Sequence, residues 1–203
     1  MRLIIVRHGE TKENVARIVQ GQTHGSLTKR GRIQAKKTGE RLKDEKISAL
    51  YSSDLGRAIE TLLEIARHHN FRKIRLSDKL RERHLGEFQG RPAHELHSAV
   101  EKSGGENKSF RPRGGGETHS DVRRRVISTV RRIAKRHPGE DVVIVTHGGA
   151  ILNLLKGLFG IEEKVGNASV SVIEFDGKTF KPILINCTRH LGKRRAKDKS
   201  AWN

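Results

Sequence analysis

The sequence predicts an α/β protein, a sheet covered by helices on both faces. Three observations carry this. Short apolar strand-like runs alternate with amphipathic helical stripes along most of the 203 residues. The strongest runs, Leu3 to Val6 and Val142 to Val145, are uninterrupted and rich in Val and Ile, as strands buried on both faces are. Near the end, two β-rich segments flank Asp176-Gly177, a hairpin signal.

Taken in order, Arg2 to Arg7 reads as a buried strand, and a polar loop runs from His8 to Ser26. Thr28 caps a helix to about Asp44, with Ile33, Ala35 and Leu42 among its few apolar residues. Ile47 to Tyr51 is a second strand. Ser52 or Ser53 opens a helix to about His69, with Leu55, Ile59, Leu62, Leu63 and Ala66 as one stripe. Lys73 to Leu76 is a third strand.

Residues Leu80 to Gly116 form an excursion rich in Gly, Arg and Glu, with one helix from Ala93 to Lys102 and a loop from Ser103 to Gly116. Thr118 caps a long helix whose buried stripe is Val122, Val126, Val130 and Ile133, and which Pro138-Gly139 stops. Asp141 to Thr146 is a strand, Gly149 to Leu158 a helix, and Ser169 to Phe175 and Phe180 to Asn186 the hairpin. One domain, residues 1–191, is followed by a basic tail, 192–203, predicted to be mobile.

Composition narrows the function. There are 42 basic and 23 acidic residues, a formal net charge of +19, so the field attracts anions. Aromatic residues make up 4%, which leaves few platforms for stacking bases. The lone cysteine, Cys187, cannot form an internal disulfide or a four-cysteine zinc site. No apolar run approaches the roughly 20 residues of a membrane span, and the N-terminus enters a strand without an apolar signal region. The expectation is a cytoplasmic protein with no membrane partner.

Two histidines occupy matching places. His8 follows the first strand and His147 the strand Asp141 to Thr146, and each is followed by glycine. Ligands of such sheets bind beyond the carboxyl ends of the strands, so both imidazoles should reach one crevice. After His147 the glycines lead into a helix whose free amides favour an anion. Arg7 adjoins His8, and Arg57 follows the second strand closely. A guanidinium donates two parallel hydrogen bonds to a phosphate. A neutral imidazole can attack phosphorus to give a phosphohistidine, with the arginines and the second histidine stabilising charge on the phosphoryl oxygens. A carboxylic acid must then protonate the leaving alkoxide and activate water. Glu10, Glu82, Glu87 and Glu117 are the candidates, and spacing does not choose among them.

These segments resemble the histidine phosphatase superfamily, also called phosphoglycerate mutase-like. Arg7-His8-Gly9-Glu10-Thr11 with Asn14 is similar to its signature. Leu27-Thr28-Lys29-Arg30-Gly31 and Tyr51-Ser52-Ser53-Asp54-Leu55-Gly56-Arg57-Ala58 resemble its first two helix motifs. The stretch from Leu80 to Gly90 resembles its acid-bearing loop, Gly114 to Thr118 the opening of the next helix, and Val143 to Gly149 the last motif. Gly114 stands where the family often has proline. The resemblance spans about residues 1 to 191.

It implies a three-layer α/β/α sandwich, a mostly parallel sheet with a late antiparallel strand. It implies His8 as the phosphorylated nucleophile and Arg7, Arg57 and His147 as the rest of the phosphate pocket, with Glu82 as general acid and base. Asn14 and the amide of Gly148 would be phosphate contacts, and Gln20 and Gly21 substrate contacts. No metal or organic cofactor is implied. The function expected is hydrolysis of a small phosphomonoester metabolite. The alternatives are a cofactor-dependent phosphoglycerate mutase and a non-enzymatic basic protein that binds nucleic acid or regulates. The mutases of the family carry an extra segment around the acid-bearing region, whereas here about 26 residues separate Gly90 from Glu117. Arg91, His94, His97, Lys102, Lys108, Arg111 and Arg113 would give the entrance a basic rim. Nucleic acid is expected only as a weak electrostatic contact, and a homodimer is allowed for.

Overall fold

The computed structural model describes residues 1–70, 74–104 and 110–192. Residues 193–203 of the basic tail, Lys73 and Lys108 lie outside the described residues. Six strands form one sheet: β1 (Arg2–Arg7), β2 (Ile47–Ser52), β3 (Ile74–Leu76), β4 (Asp141–Thr146), β5 (Val170–Phe175) and β6 (Phe180–Cys187). Their order is β3-β2-β4-β1-β5-β6. The first four run parallel, and β5 is antiparallel to both β1 and β6. The sheet is therefore mostly parallel with one late reversed strand. Pro182, which has no amide hydrogen to donate, sits on edge strand β6.

The helices are α1 (Lys12–Ala16), α2 (Lys29–Leu42), α3 (Gly56–Ala66), α4 (Ala93–Lys102), α5 (His119–Arg136) and α6 (Gly148–Phe159). Side-chain alternation along the strands sends successive residues to opposite faces. Leu3, Ile5, Val142 and Ile144 join one core with the α5 stripe Val122, Val126, Val130 and Ile133 and with Ile151, Leu154 and Leu155 of α6. Ile4, Val6, Leu50, Val143 and Val145 join the other with Leu42 of α2 and Ala58, Leu62 and Ile65 of α3. The uninterrupted apolar runs of β1 and β4 are what a sheet packed on both faces requires. Among the described residues no helix is long and apolar enough to cross a membrane.

Several boundaries differ from the sequence reading, each for a local reason. The loop after β1 contains α1, because Thr11 and Asn14 close a reciprocal capping box. Ser52 and Ser53 do not cap α3. Ser52 is still in β2, the Ser53 amide bonds to the Val145 carbonyl, and the helix starts at Gly56. The buried stripe of α3 is also turned from the one expected. Leu63 is 48% exposed, whereas Arg57 and Thr61 are buried. The Thr61 hydroxyl accepts the Gly9 amide hydrogen at 3.0 Å. That contact turns one polar edge of the helix toward the loop after β1. Ile33 of α2 is likewise 58% exposed.

All four parallel strands end at one edge of the sheet. Arg7 lies across from Thr146, Ser52 across from Val145 and from Leu76. The segments that follow β1, β2, β3 and β4 are thus delivered to the same place. Leu62, fully buried between α3 and the sheet, supports this edge from below. Leu62→Ala should cost about 2–5 kcal/mol, read as a lowered urea midpoint with an unchanged slope.

Candidate active site

His8 leaves β1 and His147 leaves β4, and the parallel pairing sets them side by side. The His8 amide donates to the Thr146 carbonyl at 2.9 Å, and the ring centroids are 5.2 Å apart at 58°. Both imidazoles are buried. His8 Nδ1 lies 2.7 Å from the carbonyl oxygen of Gly9. A carbonyl can only accept, so Nδ1 carries the hydrogen and Nε2 keeps its lone pair. Burial pushes the His8 pKa well below the ordinary imidazole value, and the Arg7 and Arg57 guanidiniums push it further. His147 is held low by burial, then by Arg57, His8 and Arg7.

Arg57, on the first turn of α3, is 1% exposed. It donates through Nη2 to the Gly21 carbonyl at 2.8 Å and through Nη1 to the Thr23 and His24 carbonyls. Desolvation brings its pKa down to about 10. Arg7 donates through Nη1 to the Val165 carbonyl at 2.6 Å, and burial lowers its pKa too. Arg7 Nε, Arg57 Nε and both ring nitrogens of His147 are buried without a protein partner. Buried polar atoms ordinarily have one, so this cluster could receive a ligand. A buried guanidinium, Arg57, and a half-buried one, Arg7, suit an anion.

A cavity of about 660 Å³ opens onto this cluster, and Arg7, His8, Asn14, Gln20, Gly21, Arg57 and Glu82 are on its wall. His147 is not on the wall but packs against His8. Gly149 lines the cavity and Gly148 does not, although Gly148 opens α6 and its amide has no acceptor within the helix.

Of the four candidate acids, Glu82 alone lines the cavity. Its Oε2 accepts the Gly149 amide hydrogen at 2.8 Å and its Oε1 that of Arg83 at 2.8 Å. A Cβ at Gly149 would lie 2.4 Å from Glu82 Oε1, so a larger residue there would push the carboxylate from this position. Glu10 accepts from the Thr28 hydroxyl, and Glu87 accepts the Arg113 amide hydrogen. Glu117 takes Arg125 in a two-pronged pair at 2.7 and 2.8 Å and also accepts the His84 amide hydrogen. Burial acts to raise the Glu117 pKa, but its hydrogen bonds outweigh that and hold it low. Arg125 goes on to donate to the Arg81 and Glu82 carbonyls at 2.7 and 2.9 Å, so the Glu117–Arg125 pair fastens the acid-bearing loop to α5.

This arrangement accounts for the motifs along the whole chain, and the comparisons agree. A family model for the histidine phosphatase superfamily (branch 1) matches residues 3–188. The chain belongs to that superfamily. Phosphoglycerate mutase-like protein 4 of Arabidopsis thaliana is 39% identical to this histidine phosphatase over 86% of its chain and 80% of the relative. The metal-independent phosphoserine phosphatase of the same plant is 38% identical over 84% and 75%. A solved mycobacterial glucosyl-3-phosphoglycerate phosphatase in complex with VO3 superposes with a TM-score of 0.82 at 29% identity, covering 92% of this chain and 99% of that one.

The outer part of the cavity differs from the sequence expectation. Of the basic residues placed at the rim and described in the structure, only His97 lines it. Arg91 pairs with Glu95, and Arg111 pairs with Asp121 and donates to the Gly116 carbonyl. The cap helix α4 instead contributes Leu96 and Val100, one turn apart, together with Glu101. Sequence reasoning also missed Arg83 and His119 on this wall. Arg83 immediately follows Glu82, so its place in the motif was the available signal. His119, on the first turn of α5, carried none.

The depressed pKa of His8 has a direct spectroscopic consequence. In the ligand-free enzyme the His8 ring should titrate below the ordinary 6.5, staying neutral at pH 7. Imidazole NMR across a pH series checks this, and a His8 midpoint at or above 6.5 contradicts it. By linkage, a depressed histidine pKa gives stability present above pH 6.5 and lost as pH falls toward the folded-state value.

Proposed function

We propose that this enzyme is a phosphomonoesterase that acts through a phosphohistidine on His8 without a metal. The observation that carries the reading is the pairing of a neutral His8, its Nε2 lone pair uncommitted, with a buried cluster of unpartnered cationic and ring nitrogens. Nε2 attacks the phosphorus of a bound monoester. The P–Nε2 bond forms as the bond from phosphorus to the ester oxygen breaks, and the electron pair leaves on that oxygen. Arg7, Arg57 and His147 hold the phosphoryl oxygens, joined by the Asn14 side chain and the Gly148 amide. Gln20 and Gly21, on the same wall, contact the rest of the substrate.

Glu101 of the cap helix also lines that wall, but Glu82 is the carboxyl group that interacts with Arg7 and Arg57. It gives its proton to the leaving oxygen, then takes one from the water that attacks the phosphohistidine; the water oxygen bonds to phosphorus as the P–Nε2 bond breaks, its electron pair returns to His8, and inorganic phosphate leaves. Its two backbone hydrogen bonds orient it and leave the other lone pairs of the carboxylate for the substrate. The charge that a metal would neutralise is met by the two arginines.

The substrate is a small phosphorylated metabolite. The names of the relatives, a phosphoserine phosphatase and a glucosyl-3-phosphoglycerate phosphatase, support monoesters of this class. Among the described residues the cap over the cavity is the single helix α4 with its flanking turns. That modest cover admits water and favours hydrolysis over return of the phosphoryl group to a second acceptor.

Leaving-group dependence tests the assignment. Glu82→Gln should lower kcat/KM, which reports the step that expels the leaving group, for phosphoserine by about 10²–10⁴-fold. The loss should be much smaller for p-nitrophenyl phosphate, whose leaving group needs little protonation. Affinity for inorganic phosphate should change little. Equal losses on both esters, or a comparable leaving-group effect in Glu117→Gln, would place the acid elsewhere. Mutase activity toward phosphoglycerate, assayed in parallel, should be minor beside hydrolysis.

A further inference from the structure

Between α6 and β5 the chain returns to the site, and residues 165–168 touch three of its members. The Val165 carbonyl accepts from Arg7 Nη1 at 2.6 Å. The Ala168 amide donates to the His8 carbonyl at 3.1 Å. The Asn167 side-chain amide donates to Asn14 Oδ1 at 2.9 Å and to the His8 carbonyl at 3.4 Å. This segment is held from outside. The Gly166 amide donates to Asn186 Oδ1 at 2.8 Å, and Asn186 Nδ2 donates to Glu163 Oε1 and the Lys164 carbonyl, each at 2.9 Å. His190 Nε2 lies 3.1 Å from the Ala168 carbonyl. Ala168 and Asn186 both adopt left-handed backbone, with φ of 53° and 52°. Non-glycine residues stay there only where their surroundings impose it.

The consequence falls on Asn14. A side-chain amide has one acceptor end and one donor end, and only the donor end helps to hold a phosphate. Two donors converge on Asn14 Oδ1: the Thr11 amide at 3.2 Å and Asn167 Nδ2 at 2.9 Å. The oxygen is thereby occupied, and the NH₂ group is left for the cavity that Asn14 lines. Asn167 itself is not on that cavity's wall.

We propose that Asn167 is a positioning residue for the phosphate pocket: it fixes the Asn14 amide with its donor end toward the phosphoryl group. The proposal rests on the reading of Asn14 as a phosphate contact. Its side chain acts at one remove from the chemistry, through Asn14, so its loss should weaken phosphate binding more than it slows turnover. Aspartate at this position is the sharper substitution. Its carboxylate offers no amide donor to Asn14 Oδ1 and instead competes for the Asn14 NH₂, so that donor end is drawn from the phosphate even while the Thr11 amide still holds the oxygen.

The experiment is a double-mutant cycle of Asn167→Ala and Asn167→Asp, each with and without Asn14→Ala. It reads the inhibition constant of inorganic phosphate and the kcat and KM for p-nitrophenyl phosphate, with thermal melting to confirm folding. Asn167→Ala should raise the phosphate inhibition constant about ten-fold, the worth of one hydrogen bond to a charged group. Asn167→Asp should raise it further. KM should move with the inhibition constant and kcat less, and both effects should vanish once Asn14 is alanine. A wild-type inhibition constant in a folded Asn167→Ala or Asn167→Asp variant overturns the proposal. So does a penalty that persists undiminished in the Asn14→Ala background. If Asn14→Ala alone leaves phosphate inhibition unchanged, the phosphate-contact reading of Asn14 fails, and the positioning role fails with it.

Discussion

The parallel pairing of β1 with β4, with Arg7 across from Thr146, is the constraint on which the site depends. One residue further along each strand the chain leaves the sheet, and the two residues placed there are His8 and His147. Successive side chains of a strand point to opposite faces, so a one-residue slip would send each ring to the wrong side. Burial of both sheet faces penalises such a slip at every position of β1 and β4, because Leu3, Ile4, Ile5 and Val6 each fill a place in one core or the other. The packing energy of the interior thus fixes the separation of two imidazoles at its edge. β2 and β3 end at the same edge and deliver Arg57 and the acid-bearing loop to it.

That convergence concentrates positive charge where water is scarce. Arg7, Arg57, His8 and His147 share a buried crevice, and desolvation depresses the pKa of all four. The fold tolerates this in two ways. The imidazoles stay neutral, and the guanidiniums spend donors on main-chain carbonyls, Arg57 on residues 21–24 and Arg7 on Val165. The remaining buried nitrogens are matched by no protein acceptor. Under the proposed function a dianionic phosphate would supply what the protein withholds, and the same desolvation that makes the empty crevice costly would strengthen every contact to that anion. The glycines after His147 complete the crevice by leaving room for Arg7 and Glu82 to approach the start of α6.

Much of this was legible in the residues. The unbroken apolar runs of β1 and β4 identified a sheet buried on both faces, and the His-Gly pairs after them marked one end of it. Arg57 stood out because it followed a strand, although it is one of 42 basic residues. What stayed hidden depended on contacts between distant segments. Spacing left Glu82 level with Glu10, Glu87 and Glu117, and the family resemblance alone singled it out; what sets it apart in the fold is its place on the cavity wall and its approach to the Gly149 amide, 67 residues away. The Arg57–Thr61 edge of α3 faces the site because of a contact with Gly9, which helical periodicity does not register. The expected basic rim is thinned because Arg91 and Arg111 are engaged by Glu95 and Asp121, pairings that charge alone does not reveal. Asn167 carried no signal, because its role comes from a bond to Asn14 across the fold.

The central claim is that the phosphoryl group passes through His8, and trapping it there is the direct test. The enzyme would be mixed with a phosphomonoester, quenched in alkali within milliseconds to preserve a phosphoramidate, digested, and mapped by mass spectrometry. The account predicts a phosphoryl group on the peptide carrying His8, formed and consumed at rates compatible with turnover. A phosphoryl group found on His147 instead, or steady turnover with none on the protein at any time, would contradict it.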